Sequence, residues 1–298
     1  KDVETDVTAA TGNPVILKEG PSTGLVDGQN LLGPVVGKFA MQLAIDKAKQ
    51  SGVGWVVANN SNHFGIAGWY AMEASSEGLL GMAFTNASPL LVPTRAVNPA
   101  LGTNPISLAA PNGQEPFVLD MATSAVALGK VEIQHRRGEP LPPGWALDAQ
   151  GRGTTDAAVG MQGRLFPLGG PEETSGYKGY GLACLVEIFC GLLSDANWGQ
   201  HIRKWKTHER KANLGQCFIA INPSMFADGF ENRMSQFVHD FRSMQPSDPD
   251  KPVLIAGDPE RAHMSRCEQL GGVPYHDRQL EHLNDVAKQL DVDPLKCV

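Results

Sequence analysis

Helical and strand patterns alternate early in the chain, and this alternation constrains the fold more than any other feature. Apolar residues recur at helical spacing over residues 34–51, and Gly52 follows as a stop signal. Residues 53–58 form a short apolar stretch typical of a buried strand, residues 66–78 return to helical spacing, and residues 79–85 are apolar again. This succession of strand, helix and strand predicts parallel pairing or a mixed sheet, and hence an α/β fold.

The loop Asn59–Gly65 follows the first of these strands and carries His63. Open α/β sheets bind ligands beyond the carboxyl ends of their strands. A histidine at such a point titrates near neutral pH and can exchange a proton with a substrate. The alternative is a histidine whose ring is satisfied by backbone partners in a turn.

Small polar residues also mark three later segments. They lie in Thr85–Pro89, in Leu101–Pro105, and at the end of the apolar stretch Phe117–Thr123, where Asp120 and Thr123 stand. Polar groups that converge at strand ends are what a ligand crevice requires. We therefore expect these segments to line one crevice with His63.

The segment Gly176–Gly181 contains three glycines and Lys178 before an apolar helical run. Glycines let the backbone approach a ligand closely, the following helix offers free N–H groups, and a lysine adds a positive charge suited to phosphate. The alternative is an ordinary glycine-rich turn with an exposed lysine. The chain has neither a G-x-G-x-x-G after its first strand nor a G-x-x-x-x-G-K-[ST] motif, so neither a Rossmann site nor a P-loop is supported.

Asp120 and Arg95 each allow two interpretations, and a third feature, the turn Gly257–Glu260, has a structural explanation. Asp120 binds a ribose hydroxyl or caps a helix that starts at residues 123–124. Arg95 holds a carboxylate or phosphate, or is a solvated loop arginine. The turn Gly257–Glu260 opens a helix, where a proline at the first position and acids near the positive dipole end have a structural explanation. No Ser-His-Asp order, paired-carboxylate site or HExxH motif is present, which favours acid/base chemistry assisted by a bound cofactor and predicts no metal site.

Composition narrows the class of protein. With 298 residues, 42% apolar and 19% charged, the chain suits one large globular domain or two. A net charge of −7 argues against a nucleic-acid partner, and the basic cluster at 203–211, interleaved with Glu209, predicts a solvated helix face. No run of 18 apolar residues exists, so no membrane partner is expected. The cysteines lack a CxxC pair and indicate a reducing, cytoplasmic compartment. They are Cys184, Cys190, Cys217, Cys267 and Cys297.

Five ordered motifs resemble the malate/L-lactate dehydrogenase family, a group of NAD(P)-dependent 2-hydroxyacid oxidoreductases. The group also holds ureidoglycolate and sulfolactate dehydrogenases and a cyclic-imine reductase. The motifs are Ser61–Gly65, Leu101–Pro105, Asp120–Thr123, Gly176–Gly181 and Gly257–Glu260. The resemblance implies a mixed-sheet, non-Rossmann α/β cofactor domain with a smaller, mainly helical domain, in a homodimer. We place the cofactor domain at 33–251, and we assign residues 1–32 and 252–298 to the rest of the helical domain, which serves substrate binding and dimerisation. The Gly- and Pro-rich residues 132–176 predict a long loop.

The resemblance also implies roles for individual residues. His63 is the proton acceptor, and Arg95 is a hypothesis for binding the substrate carboxylate, because many members have a glycine-rich pair where this chain has Thr94–Ala96. Their positions within the matching motifs imply which residues contact NAD or NADP. They are Ala87, Ser88, Asp120, Met121, Ala122, Lys178, Gly179, Gly257, Asp258, Pro259 and Glu260.

The expected activity is reversible hydride transfer between NAD or NADP and a small 2-hydroxy acid, malate-like first and lactate-like second. Family members carry an upstream Ser-His-Gly…Arg motif that helps hold the substrate, and this sequence has none. The alternative is therefore a catalytically impaired homodimer that binds dinucleotide but lacks that substrate-binding segment. Reduction of a cyclic imine is a third possibility. The pattern does not decide between NAD and NADP.

Overall fold

The computed structural model describes residues 2–205 and 207–296. Lys206 of the basic cluster and Cys297 of the predicted cysteine set lie outside these residues. The chain divides into two compact units, Lys1–Val238 and His239–Val298. The first unit contains the sheet, and the described part of the second is built from helices and their connections.

The described residues contain nine strands, and seven of them form one mixed sheet. The strands are β1 Val15–Glu19, β2 Thr23–Asp27, β3 Val53–Ser61, β4 Leu80–Thr85, β5 Ile106–Ala110, β6 Phe117–Met121, β7 Ala146–Leu147, β8 Gly153–Thr154 and β9 Leu214–Ile221. The large sheet has the order β1-β2-β3-β9-β4-β5-β6. Strands β2 and β3 pair in parallel, and the other neighbours pair antiparallel. The predicted α/β class with a mixed sheet is confirmed.

Strand β9 lies between β3 and β4, which the sequence pattern had placed as candidates for direct parallel pairing. Ile221 stands opposite both Val53 of β3 and Leu80 of β4, and both pairings are antiparallel. Strands β3 and β4 therefore run in the same direction without touching as partners. Of the two predicted outcomes, parallel pairing or a mixed sheet, the structure has the mixed sheet, because a strand from far along the chain supplies the hydrogen bonds between β3 and β4.

The described residues contain eight α-helices. They are α1 Gly33–Ser51, α2 Ala67–Ser76, α3 Leu128–Arg137, α4 Ala157–Gly160, α5 Gly176–Glu187, α6 Phe230–Arg242, α7 Asp258–Leu270 and α8 Asp277–Gln289. On one face α1 and α2 bury a core that includes Val56 and Phe218. On the other face α5 continues into a π-helical turn, Ile188–Leu192, and packs against Val57 and Cys217. Because side chains alternate along a strand, neighbouring residues of β3 serve both cores.

Helix α1 approaches the sheet so closely that only glycine fits at one position of β3. A Cβ added at Gly54 would lie 1.9 Å from the carbonyl oxygen of Ala44. Gly52 ends the helix with φ 87°, a left-handed conformation that glycine adopts at little cost. These two glycines set the short connection that places β3, and hence the loop after it, against α1.

The prediction of one long loop at 132–176 was wrong, because several short elements interrupt it. Residues from 128 onward form α3, the strand pair β7–β8 and α4, around a small apolar core. Val131 and Leu165 are fully buried there. The many Gly and Pro residues mark the tight turns between these short elements, which the composition alone does not distinguish from a structureless segment.

Strands β1 and β2 lie within residues 1–32, which the sequence assigned to the helical remainder. The structure places both in the sheet, because β2 pairs with β3. The division of roles at residues 33 and 251 stays a prediction. In the described part of the chain, no helix is long and apolar enough to cross a membrane.

Candidate active site

The strand directions bring the predicted polar segments to one edge of the sheet. Strands β3, β4 and β6 point the same way, so their carboxyl ends lie along this edge, where β5 and β9 begin. The backbone N–H of Thr123 donates to the carbonyl of Thr103 across it at 2.8 Å. Residues of two of the three predicted segments, Ala87, Ser88 and Thr103, line one cavity with His63.

A buried hydrogen-bond network fixes the loop that carries His63. The Nδ2 of Asn62 donates to the carbonyl oxygen of Leu31 at 2.9 Å. The Ser61 hydroxyl donates to Oε1 of Gln216 at 2.9 Å, and Nε2 of Gln216 donates to the carbonyl of Asn62 at 2.9 Å. Since Ser61, Asn62 and Gln216 are buried, breaking any of these bonds would leave a polar group without water or partner.

Two stacked aromatic rings support the same loop from the core. The ring of Phe64 stacks on that of Tyr70 with centroids 4.6 Å apart. The hydroxyl of Tyr70 donates to the carbonyl oxygen of Phe64. The residue after His63 is thus tied to α2 by packing and by a hydrogen bond.

His63 itself remains partly open to solvent and faces a cavity of about 270 Å³. Its Nδ1 accepts a hydrogen bond from the backbone N–H of Gly65 at 3.1 Å. The surrounding protein disfavours the charged imidazolium by desolvation and lowers the pKa of His63. The ring is therefore neutral at pH 7, as a proton acceptor must be.

The cavity at His63 joins several segments that are distant in sequence. Ala87 and Ser88, two of the predicted cofactor contacts, line it together with His63. Arg203 and Trp205 line it as well, and the backbone N–H of Trp205 donates to the hydroxyl of Ser88 at 2.7 Å. The structure thus brings together His63, Ala87 and Ser88.

Arg203 overturns the prediction of a solvated helix face for the basic cluster. Its side chain is only 10% exposed, and the segment around it is irregular rather than helical. Its Nη2 donates to Oδ2 of Asp2 at 2.6 Å, and its Nη1 donates to the carbonyl of Thr207. A run of basic residues in sequence is typical of solvated surface, and the long-range contact that buries this arginine leaves no local signal.

Glu187 is a buried acid at the same edge that the sequence reasoning missed. Its carboxylate accepts bonds from the side-chain amides of Asn104 at 3.0 Å and Asn86 at 3.1 Å. Burial raises the pKa of Glu187, while the two amide donors act in the opposite direction. The acid ties α5 to the ends of β4 and β5, and its position inside an apolar helical run was the available signal.

Asp120, Met121 and Ala122 do not line the cavity at His63. The carboxylate of Asp120 accepts the backbone N–H of Gly68 at 2.8 Å, in the first turn of α2. It thus satisfies a free N–H of that helix, rather than capping a helix at 123–124. Met121 pairs with Ile106 at the end of β6, and Ala122 follows it.

The segment Gly176–Gly181 is not a turn before the helix, as predicted, but the first part of α5. A Cβ at Gly179 would lie 2.3 Å from the carbonyl oxygen of Leu168, so glycine allows this helix to pack directly on another backbone segment. Lys178 is exposed on the same turn. Packing here overrides the low helix propensity of glycine that favoured a turn.

In the second unit, Gly257 precedes α7 with φ 100°, and Asp258, Pro259 and Glu260 form its first turn. The carboxylate of Asp258 accepts bonds from Arg242 at 2.5 Å and from Arg261 at 2.6 Å. The Arg242 guanidinium, as the largest cause, holds the pKa of Asp258 well below its usual range. These bonds give the turn a structural role within its own unit.

Arg95 lies in a different cavity, of about 580 Å³, which His63 does not line. Its Nε and Nη2 donate to the two carboxylate oxygens of Glu172 at 2.8 and 2.6 Å. The structure therefore does not bring Arg95 together with the histidine whose substrate it was predicted to hold.

Comparison with known proteins identifies the family. The family model described as malate/L-lactate dehydrogenase matches residues 1–284. The chain belongs to this family. The predicted resemblance is confirmed, and with it the assignment as a hydroxyacid dehydrogenase, in a family whose members depend on a nicotinamide dinucleotide.

Several relatives span most of the chain. A malate dehydrogenase of Pyrococcus abyssi is 42% identical over 285 residues, covering 94% of this chain and 78% of the relative. An L-sulfolactate dehydrogenase of Methanothermobacter thermautotrophicus is 35% identical over 286 residues, covering 95% and 80%. The solved malate dehydrogenase of Pyrococcus horikoshii superimposes with a TM-score of 0.88 at 38% identity, covering 98% of this chain and 81% of that structure.

Proposed function

We propose that the protein transfers a hydride reversibly between NAD or NADP and a small 2-hydroxy acid, with His63 as the group that exchanges the hydroxyl proton. The observation that carries this proposal is a histidine that lines a cavity of about 270 Å³ at the carboxyl ends of the strands, and desolvation, which lowers its pKa, favours the neutral form that accepts a proton. Malate-like acids are the first choice of substrate and lactate-like acids the second. Two relatives bear the names malate dehydrogenase and L-sulfolactate dehydrogenase, which supports a substrate with a second acidic group.

The residues at the cavity fit a nicotinamide group. Asn62 lines the cavity, and its Oδ1 is buried without a hydrogen-bond partner among the described residues. Buried acceptors are almost always paired, so this oxygen favours a ligand that brings an N–H donor. The carboxamide of nicotinamide is such a donor, and the walls formed by Ala87 and Leu90 suit a flat ring. When bound, the dinucleotide would accept a hydride from the substrate carbon that bears the hydroxyl, or donate one to that carbon in the reverse direction.

The hydrogen bond from the Gly65 N–H determines which tautomer the neutral His63 ring adopts. Because Nδ1 accepts this bond, the neutral ring carries its proton on Nε2. In oxoacid reduction the ring must first take up a second proton on Nδ1, so that the imidazolium donates its Nε2 proton to the substrate carbonyl and returns to the neutral form. In hydroxyacid oxidation the substrate hydroxyl must replace Gly65 at Nδ1, or the ring must change tautomer to free Nε2. Protonation of both nitrogens breaks the Gly65 bond, which adds to the preference for the neutral form.

Substitution of His63 tests the proposal. His63→Gln should lower kcat for oxaloacetate reduction by about 10²- to 10⁴-fold, because the positioned proton donor is lost. Cofactor affinity should change little, since the change is confined to the imidazole. Steady-state oxidation of NADH and NADPH gives kcat, and fluorescence titration gives the cofactor Kd.

His135→Gln is the matched control, because His135 is exposed on α3 and lies outside the cavity. Turnover by His63→Gln equal to that of this control would exclude His63 as the proton-exchanging residue. The assay should include oxaloacetate, pyruvate, a sulfonated oxoacid and a cyclic imine, with both cofactors. Cofactor binding without turnover of any of them would favour the catalytically impaired alternative.

A homodimer and a cytoplasmic location stay predictions.

A further inference from the structure

The proposed reaction needs a cation that His63 does not provide. A 2-hydroxy acid carries a carboxylate next to its reacting carbon, and a carboxylate that leaves water for a cavity lined by apolar residues must be paired or hydrogen-bonded. Of the described residues that line the cavity, Arg203 is the one with a permanent positive charge. A guanidinium presents donors in a fixed planar arrangement that matches a carboxylate.

Contacts on the far side hold Arg203 in place. Its Nη1 donates to the carbonyl oxygen of Thr207, and its side chain is only 10% exposed. A buried arginine anchored to a backbone carbonyl has few alternative rotamers, so its remaining N–H groups point in a defined direction. This order is a property of a binding group rather than of a solvated surface arginine.

A carboxylate already meets this guanidinium at the wall of the cavity. Oδ2 of Asp2 accepts from Nη2 of Arg203 at 2.6 Å, and Asp2 lines the same cavity. Oδ1 of Asp2 lies 3.1 Å from Nε2 of His208. The Asp2 side chain is 45% exposed, so water can solvate its carboxylate when another carboxylate takes its place at the guanidinium. An incoming carboxylate can therefore replace Asp2 at small cost.

We propose that Arg203 binds the carboxylate of the 2-hydroxy acid, and that Asp2 occupies the same guanidinium when no substrate is present. This inference rests on the proposed function, because it assumes that the cavity beside His63 is the substrate site. It makes Arg203 a substrate-binding residue and Asp2 a competitor for it. The two side chains then have opposite effects on substrate affinity, which a purely structural ion pair would not produce.

Opposite changes in the two variants are the decisive result. Arg203→Gln should raise KM for oxaloacetate by about 10- to 100-fold, the range for loss of a hydrogen bond to a charged group. Asp2→Asn should lower KM severalfold, because it removes the competing charge and keeps Arg203. Arg203→Lys should fall between wild type and Arg203→Gln, and the cofactor Kd should stay the same in all three. Arg137→Gln, on exposed α3, is the matched control.

Calorimetry with hydroxymalonate, an unreactive 2-hydroxy dicarboxylate, separates this inference from the proposed function. The ligand is titrated into wild type and the variants, each saturated with NAD or NADP. Loss of hydroxymalonate binding in Arg203→Gln and stronger binding in Asp2→Asn support the role of Arg203, even if wild type turns over no oxoacid and the proposed function fails. Wild-type turnover combined with unchanged KM and unchanged hydroxymalonate affinity in both variants would overturn it. So would a wild-type protein that does not bind hydroxymalonate, or weaker binding in Asp2→Asn, which would give Asp2 a structural role.

Discussion

Removal of a single buried oxygen, that of Tyr70, tests how the His63 loop is held. Tyr70 is 1% exposed, and its ring stacks on Phe64 and meets Phe218 edge-on at 5.5 Å. Tyr70→Phe keeps these ring contacts and removes only the hydroxyl that donates to the carbonyl of Phe64. That carbonyl is then left buried without this partner, which costs about 1–3 kcal/mol. We expect the free energy of unfolding to fall by this amount.

Urea unfolding followed by tryptophan fluorescence measures the loss of unfolding free energy in the first unit, which contains Tyr70. Each of the five tryptophans lies before residue 239, so their fluorescence reports on the first unit. The midpoint should shift to lower urea at an unchanged m-value, because the surface buried on folding does not change. Tyr275→Phe is the control: Tyr275 is 49% exposed, and its variant should stay within about 0.5 kcal/mol of wild type.

The Tyr70→Phe variant also tests whether the stability of the His63 loop affects activity. Phe64 follows His63 directly, so a loosened carbonyl gives the imidazole more freedom and should lower kcat more than it changes cofactor affinity. An unfolding midpoint equal to that of the Tyr275→Phe control would refute the reasoning. It would mean that the hydroxyl makes no net contribution and that stacking alone holds the loop.

Two further changes have defined outcomes. Asp120→Ala should lower the free energy of unfolding by about 0.5–2 kcal/mol through loss of the acceptor for Gly68 N–H, measured by thermal melting; a raised cofactor Kd in this variant would show that Asp120 also contacts the cofactor. The lowered pKa of His63 means that the base form persists below the ordinary histidine value near 6.5. The midpoint of the acid decline in kcat/KM for malate oxidation should therefore lie below pH 6.5. A decline centred at or above pH 6.5 would contradict the environment described for His63.

Local patterns predicted the elements well because each depends on neighbours in sequence. The apolar period over 34–51 and the apolar stretch after Gly52 became α1 and β3, and the glycine before the last acidic turn became the start of α7. Polar residues at strand ends also predicted the crevice, since strand direction alone brings such ends to one edge of a sheet.

What the sequence did not predict depends on contacts between distant residues. Arg203 looks solvated among its basic neighbours but is buried, and one of its partners is Asp2, 201 positions away. Gly179 favours a turn by propensity and is helical because Leu168 packs against it. Glu187 differs, since an acid in an apolar helical run is itself a signal of a buried polar network.

The position of β9 determines when the site can form during folding. The His63 loop follows β3 and the Ala87–Ser88 segment follows β4, yet the strand that joins them begins only at Leu214. A chain still emerging from the ribosome has made both halves of the cavity well before the strand that aligns them. Closure of such a long loop is slow, since most of the chain's entropy must be lost before the distant pairing compensates for it. The cavity is therefore expected to close late, and until β9 pairs, the facing edges of β3 and β4 are open to other chains.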